Sequence, residues 1–275
     1  MKITVSTFAK RKAEKQRISM LTCYDYTTAK IVNSSNVDAV LVGDSLGNVM
    51  LGYEDTLSVT MEDMITFGHA VARGCKDKLV VIDMPFMSYQ VSVEQAITNA
   101  GRLLKEGRGN AVKLEGGKKV AEHIRAITNA GIPVMAHIGM TPQSVNALGG
   151  NRIQGKSEEA AKKLIEDALA IEKAGAFALT LECIPAPLAQ LITDKLSIPT
   201  IGIGAGAGCD GQILVYQDML GLFSDYTPKF AKHFAELGKQ MKEAFAAYVK
   251  EVQAGTFPAE EHTFKMDEDV LNKLY

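Results

Sequence analysis

One pattern constrains this chain more than any other. Short, nearly continuous apolar runs recur along it, each closed by polar or glycine residues and followed by a stretch with helical spacing. The runs predict strands at 19–23, 39–42, 79–82, 111–114, 133–137, 177–181 and 200–203, with a weaker eighth at 213–215. Continuous rather than alternating apolar character belongs to parallel strands covered on both faces. Between them, Thr60 with Asp63 and Ser92 with Gln95 stand at capping-box spacing. Ser157 opens a long Ala/Lys/Glu stretch that stops at Gly175. Gly107, Gly131 and Gly175 each precede a strand, where glycine makes a left-handed helix stop least costly.

Eight such units in 275 residues predict an α/β protein, a single-domain (β/α)₈ TIM barrel over 1–275. A short N-terminal extension precedes the barrel, and a C-terminal helix and tail follow it. The rival, a doubly wound open sheet, carries G-x-G-x-x-G after its first strand. Here that strand ends Cys23-Tyr24-Asp25, and the glycine-rich turn follows the seventh strand instead. Past the eighth strand, Phe230, Phe234, Leu237, Met241, Phe245, Tyr248 and Val252 form one apolar stripe on a predicted long helix. Packing on its own barrel is the simpler expectation for that stripe, and docking on another subunit is the alternative.

Charge and cysteine usage remove several function classes. Thirty Lys+Arg against 32 Asp+Glu leave a net charge of −2, without the basic excess that nucleic acid requires. The basic cluster Lys10, Arg11, Lys12, Lys15 and Arg17 is not followed by an apolar segment, so a secretory signal is not expected. No run approaches the ~18–20 apolar residues of a membrane span. Cys23, Cys75, Cys183 and Cys209 are scattered without a C-x-x-C pair, which points to reduced thiols in a cytoplasm.

The strand ends carry the chemistry. In a barrel the C-terminal ends of the strands converge on one face. Asp44 and Ser45 follow the second strand, Asp83 ends the third, Lys113 and Glu115 belong to the fourth, His137 to the fifth and Glu182 to the sixth. Singly, Asp44 or Asp83 reads as a helix cap, Lys113 as an ion-pair partner and His137 as a hydrogen-bonded core residue. Glu182, directly after a buried strand, is hardest to explain as packing, because an unpaired buried carboxylate is costly. Together they form a constellation that needs positive charge. Lys113 supplies one, and hard oxygen donors without His-x-x-x-His favour Mg²⁺ for the rest. A 2-oxo acid chelated there would have an acidified C–H within reach of a carboxylate base. The turn Gly202-Ile203-Gly204-Ala205-Gly206-Ala207-Gly208 reads either as a backbone nest for an anion or as a tight turn permitting close approach.

Seven segments in order carry a family resemblance from about residue 19 to 264. They are Met20-Leu21-Thr22-Cys23-Tyr24-Asp25-Tyr26, Val42-Gly43-Asp44-Ser45-Leu46-Gly47, Asp83-Met84-Pro85-Phe86-Met87-Ser88-Tyr89-Gln90 and Val112-Lys113-Leu114-Glu115-Gly116-Gly117. His137-Ile138-Gly139-Met140-Thr141-Pro142-Gln143, Glu182-Cys183-Ile184-Pro185 and Gly202-Ile203-Gly204-Ala205-Gly206 with Cys209-Asp210-Gly211-Gln212 complete the set. The chain resembles the ketopantoate hydroxymethyltransferase family. That resemblance implies a barrel of the phosphoenolpyruvate mutase/isocitrate lyase-like group. It also implies transfer of a hydroxymethyl group from 5,10-methylenetetrahydrofolate to 3-methyl-2-oxobutanoate, through a Mg²⁺-stabilised enolate, for pantothenate biosynthesis.

By the same resemblance, Asp44, Asp83 and Glu115 are expected in or near the shell of one Mg²⁺ per subunit. Asp44, Ser45, Asp83 and Lys113 are expected to hold the oxo acid, Glu182 to act as base, and His137 to support it. The implied partners are small molecules and further copies of the chain, commonly ten. Departures from the family pattern, Arg108-Gly109-Asn110, Met140 and Asn151-Arg152-Ile153, touch none of these groups. A folate-free carbon–carbon lyase and a catalytically inert scaffold barrel remain the alternatives.

Overall fold

The computed structural model describes residues 2–222 and 227–275. Eight parallel strands close into a barrel in sequential order: β1 (Ile18–Thr22), β2 (Ala39–Val42), β3 (Leu79–Asp83), β4 (Ala111–Glu115), β5 (Val134–Gly139), β6 (Ala178–Glu182), β7 (Thr200–Ile203) and β8 (Gly211–Leu214). All eight predicted strands are present. Their boundaries shift by a residue or two, because ladder pairing, not side-chain polarity, ends a strand. Thus Asp83, Glu115 and Glu182 are strand residues, held by the sheet itself.

Alternation along each strand divides the core in two. Val40, Val42, Val80, Ile82, Val112, Leu114, Val134, Ala136, Leu179 and Leu181 belong to the layer shared with the helices. Ile18, Met20, Leu41, Leu79, Val81, Ala111, Met135, Ala178, Ile201 and Ile213 form the smaller core inside the barrel. Moving up β4 within the barrel, Ala111 gives way to Lys113 and then Glu115, and on β3 Leu79 and Val81 give way to Asp83. The interior is apolar at its N-terminal end and ionisable at its C-terminal end. That gradient places the chemistry.

Phe8 closes the apolar end. It lies on the helix Val5–Ala13, is fully buried in the inner core, and meets Phe177 edge-on at 5.8 Å. Arg11 pairs with Asp38 at 2.6 Å, and Lys12 pairs with Asp210 at 2.8 Å, fixing this helix across the barrel floor. The outer helices start as their sequences require. Thr60 and Asp63 form a reciprocal capping box, while Ser92 and Ser157 accept from the backbone N–H groups of Gln95 and Ala160.

Two expectations are corrected. Gly107 does not supply a left-handed stop; Arg108 does, at φ 60°. A Cβ at Gly107 would lie 2.7 Å from the Leu103 carbonyl oxygen, so this glycine serves close approach and the turn falls to its neighbour. The C-terminal helix is shorter than predicted, Leu237–Ala254, leaving Phe230 and Phe234 ahead of it. It buries none of its own residues, so the expected packing on its own barrel does not occur.

Candidate active site

The sequence-predicted residues are brought together at the C-terminal end of the barrel, and strand register does much of the placing. Asp83 is the direct neighbour of Lys113 across β3 and β4, and Glu115 is the neighbour of His137 across β4 and β5. Parallel partners at one level present their side chains to the same interior, so these pairs meet without any loop to guide them. Lys113 Nζ donates to Asp83 Oδ1 at 2.6 Å, with both side chains buried. The other Asp83 oxygen accepts from the Asp44 backbone N–H at 3.0 Å, which ties the turn after β2 to β3. Gly43 permits that turn, since a Cβ there would sit 2.9 Å from Ser45 Oγ.

Asp44, Asp83 and Glu115 crowd one lysine. Burial, aided by the charges of Asp83 and Glu115, pushes Asp44 up to about 8. Burial also raises Asp83, although Lys113 opposes the shift. Lys113 loses solvation by burial, but the surrounding carboxylates outweigh that loss and hold its ammonium charged. Negative charge here exceeds what one lysine neutralises, and the free donors are hard carboxylate oxygens. Both properties fit Mg²⁺. Among the described residues, no three His, Cys, Asp or Glu side chains converge into a closed cage. Two adjacent carboxylates with open positions suit an ion that keeps waters or substrate oxygens.

Glu115 stands further back. One of its oxygens accepts from the Gln143 N–H at 3.0 Å, and the other lies 3.4 Å from His137 Nδ1. The buried His137 ring continues the row, with Nε2 3.2 Å from Glu182 Oε2. These two imidazole contacts are close but fall short of hydrogen-bond geometry. Burial and Lys113 push His137 down, Glu115 and Glu182 push it up, and the net is a rise to about 9. Glu182 ends β6 and, unlike Asp83, still borders an open cavity.

Three polar residues outside the expected ionisable set complete the site. Gln143 Nε2 donates to Asp44 Oδ2 at 2.8 Å and to the Met84 carbonyl at 2.9 Å. Tyr89 donates to Gln143 Oε1 at 2.9 Å and accepts from the Glu115 N–H at 3.1 Å. The Tyr24 hydroxyl lies 2.7 Å from Ser45 Oγ. No charge announces these residues in sequence. Their signal was position alone, in the segments following β5, β3 and β1. Burial pushes the Cys23 thiol up to about 12, and burial with Glu182 pushes Cys183 up to about 11, opposite to the lowering that activates a thiol nucleophile. The glycine turn after β7 serves close approach. Phe230 fills the space of a Gly204 Cβ, and Ala186 that of a Gly206 Cβ.

Comparison with known proteins gives the family and the fold. The family model described as ketopantoate hydroxymethyltransferase matches residues 2–260. A protein of Clostridium novyi named 3-methyl-2-oxobutanoate hydroxymethyltransferase is 67% identical over 275 residues, the whole of both chains. One of the same name from Enterococcus faecalis is 62% identical over the same full span. Among solved structures, 2,3-dimethylmalate lyase, a member of the PEP mutase/isocitrate lyase superfamily, superposes with a TM-score of 0.60. At 16% identity, covering 100% of this chain and 99% of that one, it is similar in fold.

Proposed function

The chain belongs to the ketopantoate hydroxymethyltransferase family, and from that membership we infer that it transfers a hydroxymethyl group to 3-methyl-2-oxobutanoate, giving ketopantoate for pantothenate biosynthesis. The donor in this reading is 5,10-methylenetetrahydrofolate, and atom balance requires one water for the new hydroxyl.

Asp44 and Asp83 would hold Mg²⁺, with Glu115 in or near its shell. Bound there, the ion would supply Lewis-acid polarisation of the oxo group and acidify the adjacent C3–H. Lys113 and Ser45, with the two aspartates, orient the oxo acid, and Tyr24 fixes the Ser45 hydroxyl. Gln143 holds one Asp44 oxygen and leaves the other free to turn towards a ligand. Glu182 removes the C3 proton, and the resulting enolate attacks the folate-derived carbon. His137 steadies Glu182 with positive charge between the two glutamates.

The observation that carries this reading is the separation of roles within one buried row. The binding carboxylates are engaged by Lys113 and Gln143, whereas Glu182 lies beside the His137 ring and borders open space. Such a base acts on C3 without competing for the metal. We also place the enzyme in the cytoplasm as a homo-oligomer, a decamer by family pattern. No helix among the described residues is long and apolar enough to cross a membrane.

The test needs two measurements. Ketopantoate formation from the two substrates should require Mg²⁺. Glu182→Gln should slow exchange of the C3 hydrogen with deuterated water, followed by NMR, by roughly 10²–10⁴-fold, with little change in oxo-acid affinity. Exchange at the wild-type rate would remove Glu182 from the base role.

A further inference from the structure

The end of the barrel away from the ionisable row carries a cavity of its own, about 890 Å³. Val80, near the start of β3, and Asn110, just before β4, border it and place it at the barrel floor. Its volume is that of a small-molecule site. Lys2, Arg73, Lys76 and Arg108 line it, and no Asp or Glu does among the described residues. Cations elsewhere are paired: Arg11 meets Asp38, Lys12 meets Asp210, and Arg102 bridges Glu62 and Glu106. Among the described residues, none of the four lining cations pairs with a carboxylate. Arg73 and Arg108 stand at the C-terminal ends of the helices Met61–Gly74 and Val93–Lys105, whose carbonyl ends favour a cation. That accounts for one apiece, not for four around one concavity, where like charges repel and the positive field is concentrated.

Two details show a cavity that is built and not merely exposed. The Asn110 backbone N–H donates to the Val80 carbonyl at 2.8 Å, and its side-chain oxygen accepts from the Val80 N–H at 3.0 Å. With that oxygen engaged, the two Nδ2 hydrogens are what Asn110 has left to offer a ligand. Arg108 is left-handed at φ 60°, a conformation that strains an L-residue and not a glycine. The glycines on either side are held by packing. A Cβ would stand 2.7 Å from the Leu103 carbonyl oxygen at Gly107, and 2.8 Å from Ile82 Cδ1 at Gly109. The strained position between them carries a guanidinium into the lining, where a glycine would turn the chain with less strain.

We propose that this cavity binds a small-molecule polyphosphate, a chain of two or three phosphates either free or carried by a nucleoside. A single phosphate brings roughly 1.5–2 negative charges, so four cations match a chain better than one group. Arg73 and Arg108 present guanidinium forks that pair bidentately with phosphate oxygens, and the lysines and Asn110 add single donors. Tyr26, exposed and part of the lining, offers a ring on which a base can stack, with Lys30 Nζ 5.9 Å from its centre. None of Asp44, Lys113 or Glu182 borders the cavity, so the site stands independently of the transfer reaction.

Titration calorimetry on the full chain without divalent cations tests this with inorganic tripolyphosphate, ATP and adenosine. Tripolyphosphate and ATP should bind, and adenosine should bind far more weakly. Arg73→Glu and Arg108→Glu should each weaken both anions about 10-fold, equivalent to about 1.4 kcal/mol. Arg108→Gly relieves the left-handed residue, so it should weaken binding to a similar degree with no loss of Tm, which separates lost recognition from lost folding. Lys163→Glu, the same charge change on the helix Glu158–Ala174, should leave both affinities within about 2-fold of wild type. ATP binding more tightly than tripolyphosphate, with that advantage lost in Tyr26→Ala, identifies a nucleotide as the occupant. Equal binding of the two assigns the site to the phosphate chain alone. A wild type that binds neither anion overturns the proposal, as do affinities that respond to Lys163→Glu as strongly as to Arg108→Glu.

Discussion

Charge crowding at single residues sets how this site responds to ions and to pH. Asp44 and Asp83 are buried beside Glu115 with only Lys113 close by, so Mg²⁺ should stabilise the folded chain as a ligand does, by about 2.7 kcal/mol at 100 times its Kd. Asp44→Ala and Asp83→Ala should each lose most of that gain, read as the shift in Tm on adding Mg²⁺ with the oxo acid. An undiminished shift in both variants removes them from the metal site. Asp218 gives a pH response of the opposite origin. Burial raises its carboxyl above the ordinary value, only partly offset by His233. The folded state therefore holds this proton at pH values where the unfolded chain has released it, and stability falls as pH rises through that window. Asp218→Asn should raise Tm relative to wild type at pH 7, and the gain should vanish below about pH 4, where both states are protonated. A gain independent of pH would mean that the charge is not its cause. At this scale the titratable half of the site was legible in sequence, because Asp, Glu, Lys and His at the ends of apolar strands have few packing explanations. The neutral half was not. Gln143 and Tyr89 earn their places through distances of 2.8–3.1 Å that only the closed barrel creates.

At the scale of elements, glycine separates two requirements that look alike in sequence. Gly68 lies inside the helix Met61–Gly74, where a Cβ would stand 2.6 Å from Ile82 Cδ1 and 3.2 Å from the Gly107 carbonyl oxygen. Gly101 lies inside the helix Val93–Lys105 with nothing within 4 Å of its missing Cβ. Gly101→Ala should therefore stabilise by about 0.5–1 kcal/mol through helix propensity. Gly68→Ala should destabilise by about 1–3 kcal/mol through overpacking against β3. Denaturant melts of the two variants should move in opposite directions, and movement in the same direction contradicts the packing described. Strands and their order were readable because a strand buried on both faces cannot hide its composition. Helix ends were readable wherever a Ser or Thr cap stood at the right spacing. The left-handed turn at Arg108 was not, since glycine one residue earlier offered the cheaper local solution. The start of the C-terminal helix was missed for a similar reason. A regular apolar spacing runs on through Phe230 and Phe234, but Phe230 is diverted to the space beside Gly204.

For the whole molecule, the helix Leu237–Ala254 is the longest described element that buries none of its own side chains. Met241, Phe245, Tyr248 and Val252 are 46–60% exposed along one face, more apolar surface than an isolated chain keeps without cost. A homo-oligomer that covers this face should show a mass several times 29.7 kDa by light scattering at micromolar concentration. Replacing Phe245 and Tyr248 together by Glu should lower that mass. A wild-type monomer contradicts assembly, and an unchanged mass in the double variant moves the interface elsewhere. The opposite end of the chain has a different consequence, which follows from the barrel floor. Phe8 and Lys12 are made more than a hundred residues before Phe177 and Asp210, which receive them. The seal is thus an N-terminal element that can be set only after nearly the whole barrel has been synthesised. Until then the inner apolar faces of β1 to β7 lack their last neighbour, because β1 closes the ring only by pairing with β8. Translation that stalls before that strand emerges leaves an open sheet with two unpaired edges, the kind of nascent chain that chaperones and proteases recognise.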